Sequence, residues 1–117
     1  MPTAIFDRFD VVVVPFPFND KAADRRRPAL VLSDAQSFNR ASGQSVMAMI
    51  TSSENAPWPL DTVVTDLRSA GLPAASVVRM KLFTLDHRFV LRKTGRLAMA
   101  DVKSVQQALK KALKTTF

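Results

Sequence analysis

Val11-Val12-Val13-Val14 is apolar without a break, and four β-branched residues in a row are too few for a helix. The run predicts a strand buried on both faces, with pairing that thins at Pro15 and Pro17, which have no N–H to give. Ala29 to Ser33 predicts a second strand. Val46 to Ile50 predicts a third, apolar on both faces and therefore central, ending at the polar run Thr51-Ser52-Ser53-Glu54-Asn55. Between these two, Asp34 to Arg40 predicts one helical turn capped by Ser33 or Asp34, and Ala41 to Gln44 a turn.

The second half alternates more weakly. Thr62 to Thr65 predicts a short half-exposed strand, and Arg68 to Pro73 carries turn residues. Val77 to Lys81 predicts a strand with Val77, Arg79 and Lys81 on one face. Leu82 to Asp86 reads as a tight helical turn, Phe89 to Leu91 as a short strand, and Thr94-Gly95 as a turn. Val102, Val105, Leu109, Ala112 and Leu113 then recur at helical spacing, which predicts an amphipathic helix beginning between Ala98 and Asp101. Lysines in its last turns suit the negative end of the helix dipole. Residues 1–8 read as a loose arm and Asn19 to Arg26 as a mobile polar loop. Short strands followed by one terminal helix predict an α+β, mostly β chain: a small curled antiparallel sheet or SH3-like barrel.

Composition narrows the partners. The chain has 117 residues, room for one domain spanning 1–117, and its 47% hydrophobic content is that of a globular protein. Lys and Arg outnumber Asp and Glu by 17 to 10, and a net charge of +7 favours anionic partners. Cysteine is absent and His87 is the single histidine, so no disulfide, thiolate nucleophile or histidine pair is available within one chain, and no metal or other cofactor is expected. No apolar run approaches the roughly 20 residues that span a bilayer, nor is there a secretory signal. A cytoplasmic protein with no membrane partner is expected.

The strongest local chemistry lies at Arg25-Arg26-Arg27-Pro28, where three guanidinium groups stand at the start of a strand. Arginine pairs bidentately with phosphate and keeps its charge at any working pH. A loop arginine run is otherwise a solvated surface, and a threonine ending a strand, like Thr51, a satisfied edge residue. Arg79 is a second basic group that can equally lay its stem over the core. Trp58, between Pro57 and Pro59, suits either packing under its loop or stacking on a base. His87 reads as a surface turn residue.

Several of these segments together resemble a known family. Phe9-Asp10 with the valine run to Phe18, Arg27-Pro28-Ala-Leu-Val-Leu-Ser33, and Ile50-Thr51-Ser52 are similar, in order, to the PemK/MazF family of toxin endoribonucleases. So are Ser76-Val-Val-Arg79, Thr84-Leu-Asp86 and Thr94-Gly95-Arg-Leu97. The resemblance runs from about Phe9 to Leu113. It implies a homodimeric SH3-like barrel and metal-independent, sequence-specific cleavage of single-stranded RNA. It also implies neutralisation by an acidic cognate antitoxin and a DNA-binding complex with it. It places Arg27 and Thr51 in the reaction, Arg27 stabilising phosphate charge and protonating the leaving oxygen, Thr51 fixing the scissile phosphate. Asn19, Arg25, Arg26, Ser52, Arg79 and Lys81 would form the RNA track. Where some relatives have an acid proposed as base, this chain has Lys81, so Asp20, Asp24 or Glu54 would have to serve. The family's opening glycine is Phe9 here. The alternative is the same barrel used without catalysis, as in toxins of this fold that block DNA gyrase, or a weakened member that only binds RNA.

Overall fold

The computed structural model describes residues 5–15 and 25–114. Six antiparallel strands form one sheet in the order β4-β5-β3-β2-β1-β6. They are β1 (Asp10–Pro15), β2 (Arg26–Val31), β3 (Gln44–Ser52), β4 (Thr62–Val63), β5 (Ser76–Asp86) and β6 (Arg92–Arg96). Ala35–Asn39 winds as a π-helix into the short α1 (Arg40–Ser42); α2 (Leu67–Ala70) follows β4, and α3 (Met99–Leu113) ends the chain.

The valine run lies in β1, paired with β2 on one side and β6 on the other. Its residues alternate between two cores. Val11 joins Leu30, Ala48, Ile50 and Val78 beneath α3, which contributes Val102, Val105 and Leu109. Val12 and Val14 join Ala29, Val31, Met47 and Leu85 on the opposite face, with Phe6. Burial on both faces explains why this strand carries no polar alternation. Within α3 the apolar stripe stops earlier than its spacing suggests: Ala108 is buried, whereas Ala112 and Leu113 are exposed.

The sheet curls until its two edges are joined by α2. That turn leaves the β4 edge and packs on β6, where Thr94 Oγ1 donates to the Ala70 carbonyl at 2.8 Å. Two glycines permit the approach. A Cβ on Gly71, whose φ is +69°, would lie 2.2 Å from the Thr94 carbonyl oxygen; one on Gly95 would lie 2.2 Å from that of Ser69. Gly95 is therefore a close-approach residue inside β6 rather than part of a turn. Asp101, buried in α3, anchors the neighbouring segment by accepting from the Thr65 N–H at 3.0 Å, the Thr65 hydroxyl at 2.6 Å and the Asp66 N–H at 3.0 Å.

Several local expectations are corrected. Leu82 to Asp86 is strand, because the nine-residue β3 templates β5 as far as Gln44↔Asp86, past an irregularity between Ala48 and Met49. The helical turn comes next, as a 3₁₀ segment at His87–Phe89, and the strand expected at Phe89 to Leu91 begins only at Arg92. The strand at Thr62 to Thr65 shrinks to Thr62–Val63. Residues 5–8, read as part of a loose arm, are held: Phe6 is buried against His87, its carbonyl accepts from Asn39 Nδ2 at 2.8 Å, and Asp7 accepts from the Ala35 N–H at 2.9 Å. Asp34, one of the two expected caps, does cap its helix, accepting from the Ser37 N–H at 2.8 Å. Phe9 adopts φ +69° with its side chain buried, so an L-residue occupies a left-handed position that favours glycine.

Candidate nucleic-acid interface

Strand β2 begins at Arg26, so Arg25 and Arg26 stand exposed at the open end of the sheet. The β2–β3 pairing ends at Ala29↔Met49, next to Pro28, which has no N–H. Continued in the same register, Arg27 would stand opposite Thr51, on the face that Ala29 and Met49 share. Both line one groove of about 330 Å³, together with Arg25, Arg26, Ser52 and the segment Leu72–Ser76. Side-chain parity thus brings the arginine and threonine ends of two neighbouring strands to one place.

Thr51 is nearly buried, at 9% exposure, and its Oγ1 accepts from Asn55 Nδ2 at 2.6 Å. An acceptor already engaged leaves the hydroxyl proton to be donated elsewhere, such as to a phosphate oxygen. The turn that carries Asn55 is closed by its own N–H to the Ser52 carbonyl at 3.1 Å. Asn55 was not singled out in the sequence; its four-residue spacing from Thr51 was the available signal.

The groove's far wall, Leu72–Ser76, was also missed. The sequence shows turn residues only as far as Pro73, yet the segment follows Gly71, whose close approach to Thr94 sets where it stands. Small side chains there leave room for a bulky ligand. No carboxylate lines this groove among the described residues, so its field is set by guanidinium groups. Arg26 and Arg27 also border a second groove of about 210 Å³, which Arg92 and Thr94 line from β6.

The other expected RNA residues divide. Asn19, with Asp20 and Asp24, lies outside the described residues. Glu54 is exposed, on the turn after Ser52. Arg79 and Lys81 are not at the groove but at the β3–β4 connection. Arg79 is enclosed, pairing with Asp61 at 2.9 Å and donating to the Ala56 carbonyl at 2.9 Å. The hydrogen bond from Arg79 holds the Asp61 carboxyl below its ordinary pKa. Trp58 is exposed rather than packed under its loop, with Arg79 and Lys81 over its ring. His87, read as a surface residue, is 4% exposed; its Nε2 meets Ser45 Oγ at 2.6 Å, and burial pushes its pKa below 6.5. Among the described residues no group of three or more His, Asp or Glu could hold a metal ion. No helix there is long and apolar enough to cross a membrane.

Comparison with known proteins gives this geometry a context. A family model described as PemK-like, MazF-like toxin of type II toxin-antitoxin system matches residues 7–113. No curated protein sequence matches significantly. Among solved structures, MazF in the MazE-MazF crystal structure from Deinococcus radiodurans is 21% identical, with a TM-score of 0.74 over 97% of this chain and 99% of that one. An endoribonuclease in complex with its cognate antitoxin from a Mycobacterial species is 17% identical, with a TM-score of 0.72 over 100% of this chain and 99% of that one. The Mycobacterium tuberculosis toxin MazF-mt6 is 19% identical, with a TM-score of 0.69 over 92% and 99%. At these identities the likeness establishes the fold.

Proposed function

Because the chain belongs to the PemK-like, MazF-like toxins of type II toxin–antitoxin systems, we propose that it is an endoribonuclease. It cuts single-stranded RNA in the cytoplasm, acts as a homodimer and is neutralised by an acidic antitoxin. The observation that carries the reading is the convergence of Arg25, Arg26, Arg27, Thr51 and Ser52 on one groove without a carboxylate among its described lining residues.

The reaction that suits these groups uses the RNA's own 2′-hydroxyl. It attacks the adjacent phosphorus in line, the bond to the 5′-oxygen breaks, and a cyclic phosphate and a 5′-hydroxyl result. Arg27 directs N–H groups at the phosphate oxygens as charge builds on them, and it supplies the proton to the leaving oxygen. The Thr51 hydroxyl, oriented by Asn55, donates to a phosphate oxygen and fixes the line of attack. Arg25, Arg26 and Ser52 hold flanking phosphates. The proton from the 2′-hydroxyl goes to Glu54, Asp20 or Asp24, and single alanine variants separate the three.

The test is purified, antitoxin-free protein incubated with long single-stranded RNA in excess EDTA, with fragment ends mapped. Discrete cuts leaving 5′-hydroxyl ends, lost in Arg27→Ala, are expected. Intact RNA from folded protein would overturn the assignment and leave binding without cleavage as the account. Sedimentation of the same sample tests the dimer.

A further inference from the structure

The connection between β3 and β4 carries the single tryptophan of the chain between two prolines. It is pinned rather than loose. Asp61 Oδ2 accepts from the Trp58 N–H at 2.9 Å and from Arg79 Nη2 at 2.9 Å, while Asp61 Oδ1 accepts from Arg79 Nε at 3.2 Å. The Arg79 and Asp61 side chains are only 11% and 13% exposed. The Arg79 guanidinium lies 5.2 Å from the centre of the Trp58 ring and Lys81 Nζ 5.7 Å from it. Trp58 nevertheless keeps 43% of its surface open. A largely enclosed ion pair thus orients an indole that the core does not use.

We propose that Trp58 is a base-stacking platform beside the RNA groove, taking one unpaired base next to the scissile phosphate. Arg79 positions the ring, and Lys81 faces the neighbouring backbone. The inference rests on the ribonuclease reading above. Its location follows from register: Thr51 pairs with Val77 and Met49 with Arg79 across β3 and β5. Arg79 therefore lies two residues along from the position opposite Thr51, about 7 Å, and on the same face. Stacking needs only a π-face and suits a single-stranded ligand whose bases are splayed out. The surrounding charge also fits. Pairing with Arg79 neutralises Asp61, so the platform does not repel phosphate, and Lys81 adds a cation beside it.

The absence of tyrosine and of any second tryptophan makes indole emission a direct probe of this position. Cleavage-impaired Thr51→Ala is titrated with a labelled single-stranded oligoribonucleotide, following emission and label anisotropy together. Emission should change with the same midpoint as anisotropy. Trp58→Ala should weaken binding roughly 5- to 100-fold, with Trp58→Phe recovering most of it. Removing one base from the RNA should cause the same loss in the Trp58 protein and none further in Trp58→Ala. As a positioning residue, Arg79→Gln should lower indole anisotropy in the free protein and shrink the part of binding that depends on that base. RNA bound and cut normally by Trp58→Ala, together with indole emission of Thr51→Ala unchanged on RNA binding, would overturn the platform and leave the ribonuclease intact. Neither binding nor cleavage by the wild type would remove both. Emission changed by an acidic polypeptide and not by RNA would reassign the ring to a protein contact.

Discussion

Arg26 and Arg79 sit on strands of one sheet, yet they meet opposite conditions. Arg26 stands exposed at the groove rim and presents its charge to whatever enters. Arg79 is enclosed, its charge answered by Asp61 and by the Ala56 carbonyl, and what that region offers outward is a ring. A cation in water at a strand end attracts phosphate over a distance set by salt. A cation neutralised within the fold attracts little and instead fixes geometry. The same side chain therefore serves capture in one place and orientation in the other, and burial decides which.

The largest effects should come from the groove. Arg27→Ala and Thr51→Ala are each expected to lower the cleavage rate about 100- to 1,000-fold, the usual cost of removing one donor aimed at developing charge. Single-turnover cleavage with the melting temperature measured alongside checks this. A rate within a few-fold of wild type in either variant would break the idea that the lip is where the chemistry happens.

Gly71→Ala should be next, acting on the groove's far wall. The left-handed φ and the 2.2 Å approach to the Thr94 carbonyl add strain that no side-chain movement relieves. A loss of about 3 kcal/mol in urea unfolding is expected. Wild-type stability there would mean the wall is soft. Arg79→Ala follows at about 2 kcal/mol, since it leaves a largely enclosed Asp61 without its partner. Because the Asp61 pKa is lowered in the fold, that contribution is present above about 3.8 and fades as pH falls through the lower folded value.

Salt dependence sharpens the comparison at smaller amplitude. Arg26→Ala should flatten the plot of log affinity for RNA against log salt by about 1, as one phosphate contact is lost. Arg79→Ala should leave that slope unchanged. An equal flattening in both would show that Arg79 also meets phosphate.

How much of this could be read from residues alone follows the same division. The valine run declared a doubly buried strand because both faces of β1 are core, and the Arg-Pro motif pointed to the lip because three consecutive charged residues just before an apolar run mark where a strand enters the sheet. Thr51 was legible as the point where an apolar strand turns polar. What failed to show was anything set by distant pairing. Leu82 to Asp86 has the local look of a turn, but β3 is long enough to hold it as strand. Gly95 looked like a turn glycine, whereas it is a gap for the Ser69 carbonyl. Arg79 could be read either as a groove cation or as a stem laid over the core, and nothing in the spacing of Asp61 and Arg79 announces that they meet. His87 read as a surface turn residue, while its ring turns inward to Phe6 and Ser45.

That buried histidine gives the smallest effect and the most specific one. Desolvation disfavours its cationic form, and the nearby Asp86 only partly offsets this, so the folded pKa lies below the ordinary 6.5. Well above 6.5 the ring is neutral in both folded and unfolded chains, and the fold keeps its full stability. As pH falls below that value the unfolded chain takes up a proton that the folded one resists. Stability should therefore decline through this window and level off once the folded pKa is passed. Thermal melts between pH 8 and 5 should show the decline in wild type and a flatter profile in His87→Gln. Equal slopes in the two would mean that the proton is taken up elsewhere. Since His87 anchors Phe6 far from the arginine lip, initial RNA cleavage rates in protein still folded at pH 6 should not follow the same curve.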